Sequence, residues 1–267
     1  MMYNINMVKL SKKTLFIVVP TVLAVLVIGF LVVSIILGRR TDLVYTGNVY
    51  SHNTKSSTQG LFFDDNGVLY ETGGNYGESA IYKNVNLSSG TAEKTKMVAE
   101  SLFLEGATQY KGKIYILTYK ESKVLVYNKD LNFEKEMYYP RDGWGLTTNG
   151  KSLIASDGSA NLYFLDENLK TEKIINVTDE RGSPVVYLNE LEFINGLIFA
   201  NVWRTDKIVA IDPNSGNVVK TFDLADLYPV KERGVENVMN GIAFNKKTNK
   251  VYITGKNWPK MFEFELK

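Results

Sequence analysis

The chain has 267 residues, with 31 Lys plus Arg against 29 Asp plus Glu, one His and no Cys. Without a thiol there is no disulfide framework, no cysteine nucleophile and no lipid-bearing cysteine, and one histidine, His52, is too few for a His-rich zinc site and a poor start for a Ser-His-Asp triad. The formal charge of +2 is unevenly spread: residues 1–40 hold Lys9, Lys12, Lys13, Arg39 and Arg40 and no acid, which leaves 26 bases against 29 acids beyond them. A mildly acidic body without basic runs has no electrostatic footprint for nucleic acid.

From Leu15 to Leu37 the chain runs 23 residues without a charge, rich in Val, Ile and Leu. As a helix at about 1.5 Å per residue this run reaches roughly 34 Å, enough to cross a bilayer. It is longer than the ~7 to 15 residue apolar core of a cleaved signal peptide, and Gly38-Arg39-Arg40 follows it where a small-residue cleavage site would stand. Residues 1–40 are therefore expected to form a cytoplasmic stub and a single transmembrane signal anchor. The bases around the run give a weak bias that places residues 41–267 on the extracytoplasmic side of the cell membrane.

The body repeats. Turn-like sites fall at Asn66-Gly67, Lys111-Gly112, Asn149-Gly150, Asn195-Gly196 and the loop Asn245 to Lys250, spaced by 45, 38, 46 and about 50 residues. Each is followed by a short β-rich run (Val68–Tyr70, Lys113–Tyr119, Ser152–Ala155, Leu197–Val202, Val251–Thr254) and, after a brief loop, by a second one (Ile81–Tyr82, Val124–Tyr127, Leu162–Leu165, Ile208–Ile211, Met261–Leu266). Five units of this length predict an all-β fold, a five-bladed β-propeller. The last unit stops in its third strand while the body opens with an extended segment, Leu43–Tyr50, which can complete the final blade and close the ring, leaving a monomer without an open central edge.

In a propeller the first strand of every blade lines the central channel, so matching repeat positions meet at one mouth. The segments before the turns are Thr58-Gln59-Gly60-Leu61, Leu104-Glu105-Gly106-Ala107, Gly143-Trp144-Gly145-Leu146, Leu188-Asn189-Glu190-Leu191 and Met239-Asn240-Gly241-Ile242. Gln59, Glu105, Trp144, Asn189 and Asn240 are expected to ring the channel, with glycine permitting close backbone approach in four of the five units. The ends of the second strands, Glu71, Tyr119-Lys120, Ser156-Asp157, Asn201 with Trp203, and Lys256 with Trp258, are expected to form an outer ring, so that all three tryptophans would wall a polar cavity. Any one such polar residue could simply bond blade to blade; a carboxylate and an ammonium among aromatics, Glu105 with Lys256 beside Asn189, point instead to a functional site.

These segments, together with Tyr70-Glu71-Thr72-Gly73, Tyr76-Gly77, Asp142-Gly143, Ser156-Asp157-Gly158-Ser159, Ala200-Asn201-Val202-Trp203 and Thr254-Gly255-Lys256-Asn257-Trp258-Pro259, resemble in order the motifs of the plant and bacterial glutamine cyclotransferases over nearly all of residues 50–267. The resemblance implies a five-bladed propeller that converts the N-terminal glutamine of peptides or proteins to pyroglutamate and releases ammonia, with no cofactor and no metal. It implies that Glu105, in Phe103-Leu104-Glu105-Gly106, is the essential glutamate, that Asn189 and Lys256 complete the catalytic set, and that Gln59, Phe103, Tyr119, Trp144 and Trp203 bind substrate. Two positions depart from the family pattern: Tyr119 stands where tryptophan is usual and Ser57 where phenylalanine is usual, and both would loosen the aromatic wall. Glu71 shares a repeat motif with Glu105 but is expected to shape a loop. A propeller of this kind could alternatively bind peptide N-termini, or a surface partner, without turnover.

Overall fold

The computed structural model describes residues 42–267. The expected transmembrane run, Leu15–Leu37, lies outside them; among the described residues no helix is long and apolar enough to cross a membrane. Strand β1 (Leu43–Ser51) is followed by four four-stranded meanders: β2 (Thr58–Phe63) to β5 (Ala92–Met97), β6 (Leu104–Tyr110) to β9 (Phe133–Tyr138), β10 (Leu146–Thr148) to β13 (Thr171–Asn176) and β14 (Leu188–Ile194) to β17 (Val218–Asp223). The chain ends with β18 (Met239–Asn245), β19 (Lys250–Gly255) and β20 (Lys260–Leu266). The helix among the described residues is one turn, Val230–Arg233.

The first two strands of each sheet are joined at the turns the sequence marks. Lys111 and Gly112 both have positive φ, 48° and 77°, as do Asn195 and Gly196, 49° and 83°. Two consecutive left-handed residues make the turn whose twist matches a strand pair, and glycine takes the second place without steric cost.

Strand β1 pairs antiparallel with β20, Leu43 opposite Leu266 and Ser51 opposite Lys260. The fifth sheet is therefore β18-β19-β20-β1, and the N-terminal strand completes the last blade as its outermost member. The inner strands close a ring, with β2 beside β6, β6 beside β10, β10 beside β14, β14 beside β18 and β18 beside β2. The fold is the expected five-bladed β-propeller.

Burial follows radius. Strand β2 is buried at five of its six positions, whereas the outer strand β9, Phe-Glu-Lys-Glu-Met-Tyr, is almost wholly exposed. Five apolar clusters fill the five wedges between neighbouring blades, for example Ile114, Ile116 and Leu125 against Phe62, Tyr70 and Ile81, or Phe199 and Ile208 against Phe244 and Phe262. At about 1.5–3 kcal/mol for each fully buried large apolar side chain, these wedges supply most of the cohesion. They leave the channel free to carry polar groups.

Candidate active site

Four of the five inner strands carry the same irregularity near their first residues. Between Thr58 and Gly60, Leu104 and Ala107, Leu188 and Leu191, and Met239 and Ile242, the inner strand holds one residue more than its partner strand. These are β-bulges, which bend a strand and re-aim its side chains. The bulged residues are Gln59, Glu105 with Gly106, Asn189 with Glu190, and Asn240 with Gly241, so one backbone device, repeated around the ring, presents the polar set expected from the sequence at one mouth. In the third blade the strand starts only at Leu146, and Trp144 occupies the matching place outside it.

Glycine is required between these positions. A Cβ on Gly106 would lie 2.4 Å from Leu146 N and 2.5 Å from Trp144 O, and one on Gly145 would lie 2.0 Å from Asn189 O. The backbones of adjacent blades touch there, and Gly106 N–H donates to Trp144 O at 2.6 Å. Side chains from the second strands support the same backbone: Thr72 donates to Glu105 O at 2.7 Å, and Ser156 to Asn189 O at 2.8 Å.

Glu105 is 7 % exposed. Burial pushes its carboxyl up to about 8; the Lys256 ammonium pulls the other way, and the charge of Glu121 adds to the rise. Lys256, half-buried at the turn after β19, is held below the ordinary lysine value by burial, partly offset by Glu105. Asn189 is buried and its Oδ1 has no hydrogen-bond partner. Gln59 is buried, with its Oε1 3.5 Å from Asn240 Nδ2.

Two groups of rings wall this end. Trp144 and Trp203 meet edge to face at 5.5 Å, and Tyr187 adds to Trp203 at 5.9 Å. The Trp144 ring rests on Gly158, where a Cβ would come within 2.6 Å of it, and its buried Nε1 has no partner. On the other side Tyr76, Phe103 and Tyr119 form a row with centroids 5.3 and 5.6 Å apart. The wall expected to be loosened by Tyr119 and Ser57 holds three rings on this side, and Tyr76, quoted above only within the Tyr76-Gly77 motif, is one of them.

One expectation is corrected. Trp258 does not wall a cavity: it is 1 % exposed in the core between the last two blades, and its Nε1 donates to Asn237 O at 2.7 Å. Glu71, buried on β3 (Leu69–Gly73), does hold a loop: it accepts from His52 and Ser56, both in the segment between β1 and β2, and from Thr58 at the start of β2. Asp157 stands at the end of the second strand of its blade, as expected, and accepts from Ser159 and Tyr163 there.

Glu190 and Glu192 stand in the Asn189-Glu190-Leu191-Glu192 segment, to which the sequence assigns a role only at Asn189. In the fourth blade Glu190 stands where four other blades have glycine, and it reaches across the axis: Oε1 accepts from Leu61 N and Oε2 from Ile242 N, at 3.2 and 2.8 Å. Glu192 accepts from Phe244 N at 3.0 Å and from Thr147 at 3.2 Å. Burial holds both carboxyls up, Glu192 to about 7. Their spacing of two on an inner strand is the signal that both face the channel.

A hollow of about 490 Å³ lies at the other end of the inner strands, among Phe62, Gln109, Thr148, Glu192, Phe244 and Lys246. It holds none of Glu105, Asn189 and Lys256. Among the described residues no three His, Asp or Glu side chains come together as metal ligands.

The chain is similar to known proteins along its length. A glutaminyl-peptide cyclotransferase of Arabidopsis thaliana is 32% identical over 240 residues, which cover 88% of this chain and 74% of that protein. The crystal structure of the Myxococcus xanthus glutaminyl cyclase matches with a TM-score of 0.76 at 30% identity, over 82% of this chain and 94% of that one. A streptogramin B lyase structure, at TM-score 0.50 and 10% identity over 82% of this chain and 98% of that one, shares the fold alone. The sequence model for glutamine cyclotransferases matches residues 40–266, and the chain belongs to that family.

Proposed function

We propose that the propeller is a glutaminyl-peptide cyclotransferase whose reaction takes place at the mouth formed by Glu105, Asn189 and Lys256. The observation that supports this best is a buried carboxyl, Glu105, presented by an inner-strand bulge in an aromatic-walled end of the channel, where the Lys256 charge acts on it. Burial raises the Glu105 carboxyl toward the range of an N-terminal α-amine, about 7.7–8.0, which lowers the cost of proton exchange between the two.

In the reaction the amine lone pair forms a bond to the side-chain carboxamide carbon, closing a five-membered ring, and the bond from that carbon to the carboxamide nitrogen breaks. Glu105 as carboxylate takes a proton from the attacking nitrogen and gives it to the leaving one, which departs as ammonia. Lys256 and the Asn189 amide stabilise the oxygen that becomes anionic in between. Trp144, Trp203, Phe103 and Tyr119 hold the side chain in the folded rotamer, which matters because ring closure is intramolecular. The Leu15–Leu37 run would anchor the enzyme in the cell membrane, with the propeller outside.

The test is incubation of the full-length protein with peptides that begin with glutamine, following ammonia and pyroglutamyl product. Release well above the spontaneous rate supports the enzyme. Binding of such peptides without release makes the protein a binder of peptide N-termini, and neither binding nor release removes the site assignment.

A further inference from the structure

Glu121 lies two residues after Tyr119, in the loop that follows β7 (Lys113–Thr118). Its Oε1 accepts a hydrogen bond from Tyr76 OH at 2.7 Å, which ties the carboxylate to the row Tyr76, Phe103 and Tyr119 at the seam of the first two blades. Its other oxygen, Oε2, is buried and accepts no hydrogen bond. The adjacent cation does not serve it: Lys120 pairs with Asp142 and lies over the Tyr119 ring, 4.6 Å from its centroid. The charge of Glu121 nevertheless reaches Glu105.

A carboxylate oxygen that is shut off from water and left without a donor is costly to the folded protein. Anchoring Tyr76 accounts for Oε1 alone. An N-terminal glutamine brings one group that answers the other oxygen, its α-amine, which is cationic on arrival and still carries N–H donors once neutral.

We propose that Glu121 is the acceptor for the substrate's α-amine, pairing with the ammonium on binding and holding one N–H of the neutral amine so that the lone pair faces the carboxamide carbon. The assignment rests on the cyclotransferase reading. It adds a requirement for a free, unblocked α-amine that is imposed in the binding step, before Glu105 acts. Chemistry is unaltered: the ammonium gives up one proton to solvent before attack, and the second, lost by the attacking nitrogen as the ring closes, still passes through Glu105 to the departing ammonia.

The experiment compares two ligands on the parent, Glu121→Gln and Glu121→Ala, all as full-length protein. One is a peptide beginning with glutamine; the other is the same peptide lacking only the α-amine, a 4-carbamoylbutanoyl peptide. Dissociation constants come from titration calorimetry, and kcat and KM from ammonia release. Glu121→Gln keeps an oxygen for Tyr76 and loses the charge. It is expected to weaken the glutamine peptide about tenfold, as for loss of a charge-assisted hydrogen bond, while the des-amino peptide binds as it does to the parent. Equal weakening of both ligands, or none in Glu121→Gln with weakening of both in Glu121→Ala, means that Glu121 only braces Tyr76, and the proposal falls. Unchanged binding of both ligands in both variants also overturns it. If the parent releases no ammonia, the cyclotransferase reading fails separately, and the two binding constants still decide whether Glu121 meets the amine.

Discussion

His52 Nε2 lies 3.1 Å from Glu71 Oε1, and His52 Nδ1 lies 2.7 Å from the carbonyl oxygen of Trp258. Both neighbours accept, so both ring nitrogens donate and the imidazole carries a charge. His52 directly follows β1 of the last blade, and Glu71 sits on β3 of the first. The chain's one histidine is thus half of a buried ion pair across the seam at which the ring closes.

That pair gives stability a pH dependence whose sign can be worked out. Burial works against the charge on His52, but Glu71 outweighs it and the imidazole is held above its usual 6.5; its contribution is complete below about 6.5 and is lost as pH rises through the raised value. Burial likewise opposes ionisation of Glu71, but His52, Ser56 and Thr58 outweigh it and hold the carboxyl below 4.5, so its contribution is lost as pH falls through that lowered value. The pair contributes most between about pH 4.5 and 6.5. Glu192, held up to about 7, is a separate contribution that costs stability as pH rises from about 4.5 to about 7 and is constant above that. His52→Gln should cost ~3–5 kcal/mol at pH 6, the penalty for breaking a buried pair, and clearly less at pH 9. Urea unfolding at the two pH values measures this, and an equal loss at both would mean that His52 is uncharged in the folded protein.

Ring closure by β1 is the next point to test. Thr46, Asn48 and Tyr50 all donate to the Glu263 side chain, at 3.2, 3.0 and 2.9 Å, so loss of the strand leaves a sheet edge open and a carboxylate stripped of three donors. A chain lacking residues 1–51 should melt at least about 10 °C below one lacking residues 1–40, or aggregate. Equal melting temperatures would show that the first strand adds nothing to closure.

Blade number and closing strand were readable because turns such as Lys111-Gly112 and Asn195-Gly196 recur between β-rich runs, and local chemistry alone makes them. Gly106 and Gly145 were readable as points of close approach for the same reason. The bulges were not, since an extra residue on an inner strand is a relation of register between two strands. Trp258 was misplaced because nearness to Lys256 in sequence does not fix the side of the strand end on which an indole lands; it packs on Gly255 and into the core. For Glu71 a loop-holding role was readable but its charged partner was not, because His52 arrives with β1 and only closure of the ring brings it beside Glu71. Glu190 and Glu192 were visible as alternate acids in an apolar strand, but what they bond lies in other blades.

Trp144 separates binding from folding. Its Nε1 is buried without a partner, so the folded protein gains no hydrogen bond from it. Trp144→Phe keeps an aromatic face toward Trp203 and removes that N–H. KM for glutamine peptides should rise several-fold, to roughly tenfold for a good hydrogen bond, with the melting temperature nearly unchanged. A large fall in melting temperature with unchanged KM would make Trp144 a packing residue alone.

The reaction's pH dependence tests Glu105 and Lys256 together. Glu105 must be ionised to take a proton, and with its carboxyl at about 8 kcat/KM should climb as pH rises to about 8 and level off above. The amine of the peptide titrates in the same range, so the informative quantity is the shift between proteins assayed on one peptide. Lys256 opposes the rise of the Glu105 value, whereas Glu121 adds to it. Lys256→Met should therefore move the ascending limb to higher pH, besides lowering the plateau by ~10² through loss of oxyanion stabilisation, and Glu121→Gln should move the limb to lower pH. Glu105→Gln removes the titrating group; turnover should fall by ~10² or more while peptide binding changes little, and the remaining rate should follow only the peptide's own amine. Parental turnover in Glu105→Gln would displace the proton shuttle from this residue, and a limb that stays in place in Lys256→Met would mean that the two charges do not interact at the mouth.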